Sequence, residues 1–168
     1  HLTPFLELSG FYDDMTKIQQ TAVAVARQAG DERAVLRARL LLADAMVKRG
    51  RFHQAHLEFQ ALLSECDRIG DPHAGAYALT GSGFCRQVLG DHDRALADTR
   101  EAVRRFLALG DDDGLLLAWT TLGSIDLELG DCDRAIALYT RGLELAGRER
   151  NAVQEVTLLR ALGIAHYT

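Results

Sequence analysis

The sequence predicts an all-α protein: a right-handed α-solenoid of antiparallel helix pairs, about eight helices in one domain spanning 1–168. Three observations carry that expectation. Hydrophobic residues make up 48% of the 168 and charged residues 26%, the balance of a chain that folds around a core. Ala, Leu and Arg are abundant while Pro occurs twice, a usage that suits helix interiors. Glycine stands at 10, 30, 50, 70, 90, 110 and 130, so seven of the 15 glycines fall on one lattice of period twenty. A fixed period of this size signals a repeat architecture.

Each lattice point reads as a helix corner. Glycine just past a helix end can take the left-handed conformation that closes the last turn. Asp31, Asp71, Asp91, Asp111 and Asp131 then follow the glycine, each able to accept from the free N–H groups of the next helix. Pro72, after Asp71, occupies a first-turn position where its missing N–H costs nothing. Phe11 and Arg51 follow Gly10 and Gly50 instead. Twenty residues hold one helix of about four turns and a tight corner, and tight corners force antiparallel neighbours.

In order along the chain, 2–8 read as the tail of a helix whose start is missing. Helix hairpins are expected near 11–49, 51–89, 91–129 and 131–168. The last stretch, 159–168, reads as a first helix with no partner after it. Both ends cut through repeats, which implies a piece of a longer protein. The final helix carries Leu158, Leu159, Leu162 and Ile164, apolar on both sides, and is expected to support a homodimer.

Helices alternate in character, so the repeating unit is forty residues. A forty-residue shift aligns Ala43, Gly83, Gly123 and Gly163, and also Ala55, Ala95 and Ala135. It aligns Leu42, Leu122 and Leu162, with Ser82 as the exception. Small residues at matched places let paired helices approach closely. The segment from Trp119 through Leu122, Gly123, Asp126, Gly130, Asp131, Ala135 and Tyr139 to Gly142 resembles a tetratricopeptide repeat. It departs from that pattern at Asp126, in place of an aromatic, and at Gly142, in place of alanine. The unit around Leu42, Ala43, Gly50, Phe52, Ala55 and Phe59 matches well. The unit around Gly83, Gly90, Ala95 and Ala102 matches less well, with Ser82 and Thr99 where larger apolar residues belong. The usual repeat is about 34 residues long, so a period of forty implies longer second helices. That longer form, with phrases such as 89–96 and 108–111, resembles the C-terminal sensor arms of bacterial signal-transducing ATPases with numerous domains and of antibiotic-regulatory-type transcription activators. The resemblance implies a cytoplasmic regulatory arm beside a nucleotide switch and a DNA-binding effector, neither of which lies in this sequence.

In such stacks the first helices line the concave face. By the register above, the inward stripe holds Arg37, Leu40, Asp44 and Lys48, then Tyr77, Thr80, Phe84 and Gln87. It continues through Leu117, Thr120, Ser124 and Leu127 to Thr157, Arg160, Ile164 and Tyr167. Two aromatic anchors in the middle and a positive charge toward each end suit a protein or peptide partner, extended or helical, with acidic ends. The plainer reading of each residue is packing for Tyr77 and Phe84 and solvation for Arg37 and Arg160. A small signalling peptide or metabolite held between Tyr77, Phe84 and Arg160 is the second reading, and a self-assembling structural adaptor the third.

Other classes find little support. The net charge is −5, with Asp111, Asp112 and Asp113 as the most acidic run, so no direct nucleic-acid contact is expected. No apolar stretch reaches membrane-spanning length, and the N-terminal residues lack a signal-peptide pattern. Cys66, Cys85 and Cys132 are odd in number and widely spaced, as reduced core thiols would be. His53 and His56 are three apart but have no clear third metal ligand, the acidic run lacks calcium-loop spacing, and no glycine precedes a Lys-Ser/Thr pair. No metal, no cofactor and no enzymatic activity are expected.

Overall fold

The computed structural model describes residues 3–149 and 151–167, with side chains at 14 and from 16 onward. The expected boundaries at 1 and 168 lie outside the described residues, as does Leu2. Among them the chain forms eight helices and no strand: α1 (Thr3–Gln28), α2 (Glu32–Lys48), α3 (Phe52–Ile69), α4 (Pro72–Val88), α5 (His92–Leu109), α6 (Asp112–Glu128), α7 (Cys132–Glu149) and α8 (Ala152–Tyr167).

The corners from Gly30 to Gly130 fall on the glycine lattice, and the α7–α8 corner keeps the twenty-residue spacing without a glycine. All six glycines from Gly30 to Gly130 have φ between 66° and 83°. At Gly70 the N–H groups of Gly70 and Asp71 both return to the Cys66 carbonyl, satisfying the end of α3. Asp71 then caps α4, its carboxylate accepting from the Ala74 N–H at 3.0 Å. Asp31 and Asp111 do the same for α2 and α6, each at 2.9 Å, and Asn151 for α8 at 3.2 Å. Asp112 and Asp113 occupy the first turn of α6, where negative charge complements the helix dipole. Arg51 and Asp91 make no side-chain cap.

Gly10 departs from the lattice, because α1 runs through it without a break over 26 residues. A mid-helix glycine costs only about 1 kcal/mol, so one glycine does not by itself break a helix. The expected corner and hairpin start at 10–11 are therefore replaced by one long α1. The added length of the forty-residue period is also shared, since α4 and α6 have 17 residues and α3, α5 and α7 have 18.

The alternation of helix character has a packing cause. The outer helices bury one stripe with spacing four, three, four: Ala55, Phe59, Leu62 and Cys66 in α3, and Ala95, Thr99, Ala102 and Phe106 in α5. The inner helices are covered from several sides. Backbones of α2 and α4, α4 and α6, and α6 and α8 approach one another, while the odd-numbered helices meet only their sequence neighbours. Thus α4 buries ten residues, six of them Gly, Ala or Ser. Two core clusters result, one around Leu36, Phe59 and Leu62, the other around Phe106, Leu116, Tyr139 and Leu158. Leu63 packs against both, joining them across α4.

The concave groove as candidate binding site

The inner helices α2, α4, α6 and α8 line a groove with a volume of about 1360 Å³. Of the stripe read from the sequence, Arg37, Leu40, Asp44 and Lys48 of α2 face it, with Tyr77, Thr80 and Phe84 of α4. Leu117, Thr120, Ser124 and Leu127 of α6 and Thr157, Arg160 and Ile164 of α8 complete it. Fourteen residues spread over more than a hundred positions are thus brought onto one surface by the forty-residue register.

Gln87 and Tyr167 are not among the groove residues. Gln87 is 4% exposed, and its amide nitrogen donates to Ser124 Oγ and Glu128 Oε1, both at 2.7 Å. It braces α4 against α6 beneath the surface, because an amide at this turn reaches acceptors on the neighbouring helix. Tyr167, in the last turn of α8, is 96% exposed.

The groove also includes residues outside that stripe. Arg33 and His73 extend it one turn toward the helix starts, Leu41 and Ala161 widen it by one position, and Val47 and Glu128 close its far rim. The forty-residue register could have flagged these rows, since Arg33 matches His73 and Leu41 matches Ala161. A single-position stripe was too narrow for a concave wall.

The two aromatics divide their surface between core and groove. Tyr77 stacks edge-on against Phe106 at 4.9 Å between ring centres, and His73 lies 5.1 Å from it. Burial, with Asp111 and Asp113 nearby, pushes the Tyr77 phenol up to about 12, so it stays neutral. Phe84 meets Phe52 edge-on at 6.2 Å. Lys48 is held by Asp44 at 2.7 Å within α2. His73 Nε2 lies 2.7 Å from Asp111 Oδ2, tying the start of α4 to the cap of α6.

Behind the groove a polar network replaces a leucine layer. Ser82 is fully buried where Leu42 and Leu122 stand in the flanking units. Its hydroxyl donates to Asp98 Oδ2 at 2.7 Å, accepts from Gln60 Nε2 at 2.8 Å, and lies 3.3 Å from His56 Nδ1. Arg86 Nε stands 3.2 Å from the same Asp98 oxygen. A serine, a histidine and an aspartate meet here, a grouping invisible in the linear order. The carboxylate engages the serine and not the imidazole, and the hydroxyl is sealed from solvent, so the group ties α3, α4 and α5 together. Burial, then the Arg86 charge, lowers the His56 pKa and favours the neutral ring.

His53 and His56 gain no third ligand: among the described residues no group of three His, Cys, Asp or Glu side chains could hold a metal ion. No described helix is long and apolar enough to cross a membrane. Cys66 and Cys85 are buried, and burial raises their thiols to about 11 and about 12, the behaviour of core residues. Cys132 is half-buried.

Residues 76–148 match the tetratricopeptide repeat family. No curated protein matches the chain significantly. Among solved structures, BtubC from P. vanneervenii is similar with a TM-score of 0.74 at 20% identity, over 93% of this chain and 66% of that one. A Rap protein complexed with Competence and Sporulation Factor is similar with a TM-score of 0.74 at 16% identity, over 89% of this chain and 45% of that one. A signal transduction ATPase with numerous domains from Pyrococcus horikoshii, which carries a tetratricopeptide repeat sensor, has a TM-score of 0.72 at 13% identity, over 94% of this chain and 26% of that one. At these identities the likeness is one of fold, and the chain spans less than two thirds of each of these proteins. The family match covers 76–148, from α4 to α7, and the stack of alternating inner and outer helices continues the same architecture on both sides of that segment.

Proposed function

We propose that this domain is a non-catalytic module that binds a protein or peptide in its concave groove, as the regulatory or sensor arm of a bacterial transcriptional regulator. The observation that carries the binding role is the groove: one continuous wall from four helices, with Leu41 and Leu117 exposed in it at 54% and 40%. Aromatic side chains and arginines, here Tyr77 and Phe84 with Arg37 and Arg160, are the residue types that supply binding energy at interfaces, and a concave, largely apolar wall is where ligands seat. The likeness to a sensor-bearing signal transduction ATPase supports the regulatory part.

The test is photo-crosslinking from two positions in cells that express the protein. A crosslinker at Thr120, in the groove, captures the partner, and one at Arg141, on outer helix α7, does not. Capture from Arg141 alone moves the site to the convex face and ends the groove reading.

A second reading is favoured by α8, where Val153, Val156, Leu159 and Tyr167 are 76%, 67%, 56% and 96% exposed. Such a face supports a homodimer, or an adaptor that assembles through it. Sedimentation over a concentration series separates the two, since a monomer throughout excludes self-assembly.

A further inference from the structure

We infer that the groove takes an amphipathic helix with acidic residues toward both ends, and not an extended peptide; this rests on the groove being the binding surface. The first observation is charge. Arg33, Arg37 and Arg160 line the groove, and none has a carboxylate partner among the described residues. By contrast Arg39 is held by Glu58 and Glu65, Arg86 by Asp91 and Asp98, and Arg105 by Asp67 and Glu101. Lys48, the remaining groove cation, is paired with Asp44. In a chain of net charge −5, three guanidinium groups without an ion pair line one concavity, at its α2 and α8 ends, while Arg27, Arg51, Arg100, Arg141 and Arg148, also without one among the described residues, stand apart from each other on the odd-numbered helices or at a corner. That arrangement complements carboxylates at the two ends of a bound segment.

The second observation concerns the main chain. An extended peptide brings N–H and C=O groups that need partners when buried. The hydroxyls of Thr80, Thr120, Thr121 and Thr157 each donate to a carbonyl of their own helix at 2.8–3.0 Å, so they are turned away from an occupant's carbonyls. The wall is helical throughout, with no strand edge for a peptide to extend. A helix bonds its own main chain and needs only an apolar face against the wall, which Leu41 and Leu117 supply. The volume agrees: a helix about 10 Å across would fill 1360 Å³ with roughly three turns.

The test is a displayed library of random peptides about 14 residues long, selected on the protein and counter-selected on the Leu41→Glu/Leu117→Glu variant. Circular dichroism checks that this variant keeps its helix content, and Thr120→Trp provides a second block of the same floor. The expected groove-dependent clones place apolar residues at i, i+3, i+4 and i+7, with Asp or Glu toward both ends. Synthetic versions are expected to bind at least tenfold more weakly once a central residue is replaced by proline, and at least tenfold more weakly to Arg37→Glu/Arg160→Glu. Groove-dependent clones that are basic, or that alternate with period two and tolerate proline, overturn this inference and leave the groove reading standing. Binding that neither blocked variant reduces, or no selectable binding at all, overturns both.

Discussion

The Tyr139 ring of α7 lies directly over Gly123 of α6, its nearest atom 2.5 Å from where a Cβ on Gly123 would stand. The forty-residue counterpart of Gly123 is Gly163 in α8, where an added Cβ would meet nothing within 4 Å. One repeat position is thus a tight contact in one helix and open space in the next.

Gly123→Leu is therefore expected to force α6 and α7 apart and to cost about 1–3 kcal/mol or more by overpacking. Gly163→Leu, at an exposed helix position, is expected to leave stability unchanged or to raise it by up to about 1 kcal/mol through better helix propensity. Thermal unfolding of the two variants checks the contrast. Equal effects at both positions would show the register to be wrong.

Ser82→Ala removes the hydroxyl that Asp98 and Gln60 share. Two buried or half-buried polar groups lose a partner, at an expected cost of about 1–3 kcal/mol. Urea denaturation measures it. A variant as stable as the parent would show that the network adds nothing to the packing of α3, α4 and α5.

Asp126 stands where the repeat pattern has an aromatic, and it is 4% exposed. Burial raises its pKa above 3.8, with Arg100 and Arg134 opposing and Asp131 adding to the shift. A carboxyl whose folded pKa lies above its unfolded value loses stability as pH rises from the unfolded value through the folded one. Asp126→Asn is expected to raise the melting temperature at pH 7, with the gain vanishing below pH 3.8. A gain that is constant with pH would point to packing instead of charge.

His56 contributes with the opposite sense of pH. Its folded pKa lies below 6.5 because of burial and Arg86, with His53 adding to the shift and Asp98 and Asp91 opposing it. The unfolded chain then binds the extra proton first, so stability present above pH 6.5 is lost as pH falls toward the folded pKa. His56→Gln is expected to flatten the acid limb of the stability profile. An unchanged limb would assign the acid sensitivity to other groups.

Arg37→Glu/Arg160→Glu is expected to change stability by less than about 0.5 kcal/mol, since both side chains are exposed and unpaired. Binding of an acidic helical peptide should fall at least tenfold, read by fluorescence anisotropy. Undiminished binding would place the partner elsewhere.

Periodicity by itself determined the all-helical class, the corners from Gly30 to Gly130 and the identity of the inner wall. Those features follow from local chemistry that recurs every twenty residues, a left-handed glycine and in most corners a capping aspartate or asparagine. Most of the groove stripe was legible for the same reason, because a shared register puts matched residues on one face. Tertiary structure alone decided the rest. Gly10 stands inside α1 and not at a corner, and the turn of Gln87 into the wall depends on acceptors 37 and 41 residues away. The meeting of Ser82, His56 and Asp98 draws on three helices. Which arginines stay free depends on where carboxylates land once the helices stack, and a linear order does not contain those distances.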